Sequence, residues 1–346
     1  MTVSLEPEIS DVDPVEPPKK SRKKLILIVA ILLVAFVGFA VAGAMVWYMN
    51  TGKPLTMLPG VNTNSVPHYV SAFYKTDLPL GVAVDDANGR LYVTQSAGER
   101  NVGVFNLDGT KVGVLTPPGA KNSIHTPVYV AVNPTNGEVY VSDRATSSMY
   151  VYDKDGKYVK TFKPVDENLW APMGVYFDSA GMLYVTNTPA TSPHTVMVID
   201  PADGKVVRTL GAADKLSFPN AAVSDGKGGV IVSDSNNGKI LFYGPTGDKS
   251  TGALARGNAT ASLGLPRGIV YNDGKLYVVD VANHMVKLYS VPTDEGDNAT
   301  PKYSASFGQE GTINGTFEYP NGIAMGSNGK LYITDRENDR VQVWSY

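Results

Sequence analysis

Along most of the chain, apolar residues come in short alternating runs broken by glycine, proline, asparagine and aspartate. A period of two predicts half-buried β-strands rather than helices. A proline followed by such a run recurs at Pro79, Pro127, Pro172, Pro219, Pro266 and Pro320, at intervals of 48, 45, 47, 47 and 54 residues. After each proline a first strand is expected, as in Gly81-Val82-Ala83-Val84 or Gly322-Ile323-Ala324-Met325. A turn follows, carrying Asn88-Gly89, Asn136-Gly137, Ala180-Gly181, Gly228-Gly229, Asp273-Gly274 or Asn328-Gly329, residue types that accept the positive φ of tight hairpins. The second strand is the most regular feature: Leu91–Thr94, Val139–Ser142, Leu183–Thr186, Val230–Ser233, Leu276–Val279 and Leu331–Thr334. Third strands run from Val102–Phe105 in the first unit to Val341–Trp344 in the sixth. Asp-Gly turns then lead into fourth strands such as Tyr158–Phe162 and Val206–Leu210. Four antiparallel strands per unit with no amphipathic helix between them mark a propeller blade, and six units predict six blades.

The sixth unit reaches Tyr346 with three strands. Its partner stands upstream: Tyr69-Val-Ser-Ala-Phe73 matches the fourth strand of unit five, Tyr303-Ser-Ala-Ser-Phe307. Residues 69–73 are therefore expected to pair with Val341–Trp344 and latch first blade to last, which removes an open strand edge. A closed ring is expected to be monomeric.

The N-terminal region follows a different pattern. Residues 1–24 are polar, with an acidic half and a basic cluster of Lys19, Lys20, Arg22, Lys23 and Lys24, and read as a disordered tail. Residues 25–48 carry no charge. As a helix they cover roughly 36 Å at about 1.5 Å per residue, enough to cross a hydrocarbon core of about 30 Å. The basic cluster predicts a single-pass anchor with a cytoplasmic N-terminus and everything after Tyr48 outside the cell membrane. The competing expectation is a cleaved signal peptide, since Ala40-Val41-Ala42 has the small-x-small form of a cleavage site. Residues 49–68 read as an irregular tether, and residues 69–346 as the propeller.

Composition narrows the chemistry. The 346 residues include no cysteine, which excludes disulfides, thiolate metal sites and a thiol nucleophile. Net charge is −3, and from residue 54 onward 24 basic and 28 acidic residues leave −4. No nucleic-acid partner is expected from such a surface.

The pattern Pro320-Asn-Gly-Ile-Ala324, Gly329-Lys-Leu-Tyr-Ile-Thr-Asp335 and Asn338-Asp-Arg-Val-Gln-Val-Trp344 resembles NHL repeats, and unit five repeats it with Asp280, Asn283 and Val286. The resemblance covers residues 69–346, about four-fifths of the chain. It implies an all-β, six-bladed β-propeller of the NHL/TolB-like type, here preceded by one transmembrane helix. It is unspecific for function, because such propellers include binding modules for protein and RNA, sensor ectodomains, gluconolactonase-like enzymes and peptide-amidating lyases.

The residue after each repeat proline is expected at the mouth of the central channel. In ring order these are Leu80, Val128, Met173, Asn220, Arg267 and Asn321, three apolar positions facing three polar ones. Resemblance to gluconolactonase-like propellers implies a divalent metal on channel Glu, Asn and Asp residues. Asn220 and Asn321 match two such positions, whereas Leu80 and Arg267 stand where acids would be. No metal or other cofactor is therefore expected. Amidating lyases imply a zinc site of channel histidines, and only His125 of the four histidines is expected near the mouth. The candidate ligand-binding set is Asn220, Arg267, Asn321 and His125, with no catalytic residue assigned. Asp143, Asp234, Asp280 and Asp335 recur at the end of the second strand and are expected to brace the following hairpin, together with Asn236, Asn283 or Asn338. The tyrosine column 92, 140, 184, 277 and 332 is expected to pack blade against blade. The leading expectation is a membrane-tethered, extracytoplasmic binding or scaffold module for a protein or small ligand. The alternative is an extracytoplasmic hydrolase or lyase of the lactonase-like type.

Overall fold

The computed structural model describes residues 22–51, 66–119, 124–165, 167–257, 259–292 and 301–346. The chain divides into two units, Met1–Gly52 and Lys53–Tyr346. The first contains one helix, α1 (Arg22–Thr51). It starts before and ends after the uncharged run, because adding a hydrogen bond to an existing helix is easier than starting one, so helical structure carries on into the flanking residues. Positions 49–51, expected in the tether, are thus helical, while residues 1–21 and 52–65 lie outside the described set. Ile26–Gly43 has mean hydropathy 3.0 and is long and apolar enough to cross a membrane, by a test that a signal sequence near the N-terminus also passes. Its described side chains are exposed. A helix apolar on every face needs lipid or another apolar surface around it.

The second unit opens with β1 (His68–Phe73), so His68, expected in the tether, opens a strand and stands opposite Ser345. Blade one is β2 (Pro79–Asp85), β3 (Arg90–Gln95), β4 (Val102–Asn106) and β5 (Lys111–Leu115). Blade two is β6 (Pro127–Val132), β7 (Val139–Asp143), β8 (Ser148–Tyr152) and β9 (Tyr158–Phe162). Blade three is β10 (Pro172–Phe177), β11 (Leu183–Asn187), β12 (Thr195–Asp200) and β13 (Lys205–Leu210). Blade four is β14 (Pro219–Ser224), β15 (Val230–Asp234), β16 (Lys239–Tyr243) and a short β17 (Gly252–Leu254). Blade five is β18 (Pro266–Asn272), β19 (Lys275–Asp280), β20 (Met285–Ser290) and β21 (Lys302–Phe307). Blade six is β22 (Pro320–Met325), β23 (Leu331–Asp335) and β24 (Arg340–Ser345), completed by β1 in the order β1-β24-β23-β22. Tyr69 stands opposite Trp344 and Phe73 opposite Val341. The Tyr69 and Trp344 rings meet edge-on at 6.2 Å.

The core lies between blades. Tyr140 of blade two packs edge-on against Phe177 of blade three, ring centres 5.0 Å apart. Tyr92 packs with Val130 and Val139 of blade two, and Tyr184 with Ala222 and Val230 of blade four. Tyr277 joins Ile323 and Leu331 of blade six, and Tyr332 joins Val82 and Leu91 of blade one. Each tyrosine thus places its ring against the next blade, where its apolar area counts most.

Near the axis the inner strands approach too closely for side chains at some positions. A Cβ on Gly174 would sit 2.2 Å from the Asn220 carbonyl oxygen, and one on Gly322 2.4 Å from that of Leu80. Hydroxyls from second strands stitch these seams: Thr94 to the Val128 carbonyl at 2.8 Å, Ser142 to Met173 at 2.6 Å and Thr334 to Leu80 at 2.8 Å. The result is a rigid ring around one channel.

Candidate ligand site at the channel mouth

Every inner strand starts with an irregular register after its proline, between Pro127 and Val130 or Pro320 and Ile323 for example. Such irregularities re-aim side chains that strict alternation would send to opposite faces. Val128 and Tyr129 consequently both line the channel mouth. The mouth is a cavity of about 280 Å³, walled on one side by Leu80, Val128, Met173 and Phe218. Thr126, Tyr129, Arg144, Asn220, Asn236, Arg267 and Asn321 supply the polar lining. Among the described residues no carboxylate lines it.

Three of the four expected site residues meet here, joined by a residue outside that set. The Tyr129 hydroxyl donates to Asn220 Oδ1 at 3.1 Å and accepts from Asn321 Nδ2 at 3.3 Å. Arg267 Nη1 donates to Asn321 Oδ1 at 2.7 Å. Asn220 Nδ2 donates to Ser235 Oγ at 2.6 Å, and Ser235 Oγ to the Pro266 carbonyl at 2.5 Å. The circuit therefore runs from blade five through six, two and four and back to five. Tyr129 reaches across the channel to make it. Burial pushes the Tyr129 phenol up from 10.0, with the Arg267 charge opposing, so it remains a neutral donor. Below this bridge lies a second cavity of about 510 Å³, which shares Tyr129 and Asn220 as walls and is otherwise lined largely by inner-strand Val, Ala, Ile, Phe and Tyr side chains.

His125 is not among the residues lining the mouth. Its Nδ1 lies 2.9 Å from Asp143 Oδ2, and the ring packs edge-on against Tyr150 at 5.7 Å. That places it within blade two, because a buried carboxylate offers a stronger partner than the channel.

The aspartate column braces more than the hairpin that follows it. Each residue at that position accepts an N–H from the loop preceding its own blade's proline: Asp77 to Gln95 at 3.1 Å, Thr126 to Asp143 at 3.1 Å and Ala171 to Asn187 at 2.7 Å. Ser217 reaches Asp234 at 2.7 Å, Leu265 reaches Asp280 at 3.0 Å and Glu318 reaches Asp335 at 2.7 Å. The asparagine partner in blade four is Asn237, not Asn236, because the reach back requires three positions as with Asn283 and Asn338. Asn236 is thereby released to the cavity rim. Asp280 and Asp335 are further paired with buried Lys287 at 3.2 Å and Arg340 at 2.7 Å. These carboxylates are structural.

Tyr129 and Arg144 are the residues that strand alternation does not reveal. A signal existed for Tyr129: the second position after each repeat proline reads Gly81, Tyr129, Gly174, Ala221, Gly268 and Gly322, with a single large residue among small ones. Arg144 follows the bracing Asp143, and its guanidinium lies 5.8 Å from the Phe218 ring centre, over the mouth's apolar wall.

The ring does not fit the divalent metal that lactonase-like propellers imply. Asn321 Oδ1, an oxygen such an ion would need, already accepts from a guanidinium. Among the described residues no three His, Asp or Glu side chains gather as a metal-binding group.

Residues 317–344 match the family model of the NHL repeat. No curated protein matches the chain. Among solved structures the chain is similar to a gluconolactonase from Xanthomonas campestris (15% identity, TM-score 0.60, covering 81% of this chain and 95% of that one). It is also similar to virginiamycin B lyase from Staphylococcus aureus (18% identity, TM-score 0.55, 80% and 98% covered). A chain of a nidogen–laminin complex aligns at 17% identity and TM-score 0.50, with 62% and 76% covered. Likeness at this level concerns the fold, a six-bladed propeller.

Proposed function

We propose that this protein is a membrane-tethered, extracytoplasmic binding module whose ligand enters the channel mouth. The observation that carries this reading is the circuit Arg267–Asn321–Tyr129–Asn220, a preorganised polar wall facing an apolar one in a cavity of about 280 Å³. Binding sites combine apolar lining with a few fixed polar groups in this way. Membrane tethering is supported by the apolar stretch Ile26–Gly43 of α1 and by the basic cluster that precedes this stretch. In this reading the tail of residues 1–24 is cytoplasmic and the propeller lies outside, as a monomer.

The second reading, a hydrolase or lyase, draws on fold neighbours named as gluconolactonase and virginiamycin B lyase. Fold likeness does not carry chemistry across. Among the described residues the mouth also has no carboxylate to act as a base, His125 is turned toward Asp143, and His194 Nδ1 already accepts the Phe218 N–H.

The chain has no cysteine, so single cysteines report location cleanly. On intact cells a membrane-impermeant maleimide should label Asn236→Cys, and should label Lys20→Cys only after lysis. The reverse pattern would sink the topology. Turnover of lactones by the purified full chain, lost in Asn321→Ala, would replace the binding reading by the enzymatic one.

A further inference from the structure

We infer that the channel mouth is an anion site, and that its ligand is an organic carboxylate whose head lies with Arg144 and Arg267 and whose apolar part faces Leu80, Val128, Met173 and Phe218. This rests on the mouth being a binding site, and names the class of molecule it takes.

The two guanidinium groups line one cavity with neutral amides and, among the described residues, no acid. Neither forms an ion pair among the described residues. In a chain of net charge −3, with 33 acidic residues available, that is a local reversal of sign rather than a reflection of bulk charge. Of the recurrent carboxylates, Asp143 and Asp234 are buried and committed to loop N–H groups and to His125 or Asn237. They stabilise the loops that form the rim.

Arg267 is incompletely used. Its Nη1 is held by Asn321, which fixes the plane of the guanidinium. Its Nε is buried and has no acceptor. Buried donors normally have partners, and an Nε without one leaves the Arg267 charge unneutralised from within the protein. What the guanidinium presents to the mouth therefore lacks a counter-ion, and a carboxylate is an acceptor that a guanidinium binds strongly. Arg144 is positioned by its packing over Phe218 and is exposed at the rim, where it adds the second positive charge. Asn220 and Asn321 cannot compete for the anion as bases, and their orientations are fixed by Tyr129.

The apolar half of the wall selects among anions. A phosphate or sulfate ion would leave Leu80, Val128, Met173 and Phe218 against a hydrated, fully polar ligand, whereas a carboxylate on a branched or aromatic group covers both halves. A cavity of about 280 Å³ suits a small acid or the last residue of a peptide. Both share the chemistry.

The test is calorimetric titration of the full chain in detergent with phenylacetate, its neutral isostere phenylacetamide, inorganic phosphate and N-acetylglycylphenylalanine. Phenylacetate should bind saturably with a dissociation constant around the millimolar range or tighter. Phenylacetamide should bind at least tenfold more weakly. Arg144→Gln, at the exposed rim, should weaken phenylacetate at least tenfold at an unchanged melting temperature; Arg267→Gln should weaken it as much with a lowered melting temperature, because Asn321 Oδ1 loses its donor, and Arg267→Lys should restore part of the affinity. Tighter binding of the peptide assigns the ligand to a C-terminus, and weaker binding assigns it to a free acid. Equal affinity for the acid and the amide would overturn the anion assignment while leaving the mouth as a site. Phosphate binding as tightly as phenylacetate would overturn the organic carboxylate. Absence of saturable binding by any of the four would overturn the assignment altogether, with the topology of the tethered propeller still decided by cysteine labelling.

Discussion

Asn321 donates through Nδ2 to the carbonyl oxygen of Leu80 at 3.0 Å, joining the last blade to the first across 241 residues. Thr334 Oγ1 donates to the same carbonyl at 2.8 Å. The ring is therefore closed twice, at its rim by β1 on β24 and at its axis by Asn321 on Leu80. The axial closure is also part of the wall of the mouth cavity.

Deleting residues 69–73 should remove the outer closure only. The loss of buried Phe73 costs about 1.5–3 kcal/mol, that of half-buried Tyr69 less, and the deletion exposes the edge of β24. Light scattering should show association at concentrations where the parent is monomeric. Carboxylate affinity in the remaining monomer should be retained, because β22 still reaches β2.

Tyr129→Phe keeps the ring across the channel and removes the hydroxyl. Asn220 Oδ1 then loses the donor it is paired with, a cost of about 1–3 kcal/mol for a buried polar group left unsatisfied. Denaturant unfolding should record that loss with an unchanged m-value. A variant as stable as the parent would mean that water replaces the phenol.

Gly174→Ala should destabilise strongly, since the new methyl would lie 2.2 Å from the Asn220 carbonyl oxygen and force the inner strands of blades three and four apart. A penalty of roughly 1–3 kcal/mol or more is expected for such overpacking. Gly252→Ala meets nothing within 4 Å and should stay within about 0.5 kcal/mol. Thermal unfolding of the pair distinguishes steric from general effects of adding a methyl.

His194 links blade three to blade four by accepting the Phe218 N–H on Nδ1 at 2.9 Å, which requires a neutral ring. Desolvation holds its pKa below 6.5, with Asp234 opposing. The unfolded chain thus takes up the proton first as pH falls, and the stability contributed by neutral His194 is complete above about 6.5 and is lost through the window below it. Asp234, raised from 3.8 by burial, acts with the opposite sign in a lower window. His194→Gln should flatten the upper slope of stability against pH and leave the lower one. An identical slope in both proteins would assign it elsewhere.

The repeat itself was legible because each blade must satisfy the same local demands. A proline starts each inner strand, a residue of positive φ turns each hairpin, and alternation buries one face against the next blade. Gly89, Gly137, Gly181, Gly228, Gly274 and Gly329 all adopt positive φ where the hairpin residues predicted it. The match between Tyr69–Phe73 and Tyr303–Phe307 likewise exposed the latch, because equivalent strands face equivalent neighbours. The long apolar run defined α1 by the same local logic.

The site was only half legible. Asn220, Arg267 and Asn321 could be placed at the mouth from their shared offset to the repeat prolines. Their relations to one another could not. Tyr129 enters the channel because the register breaks after Pro127, and alternation alone would not place it beside Val128. His125 turns to Asp143, and Arg144 comes to rest over Phe218, a residue far away in sequence. Sequence determined the blades, since strand and turn preferences act over a few residues. Ring closure alone brought side chains from blades two, four, five and six to one axis, so which donor met which acceptor was decided by the tertiary structure.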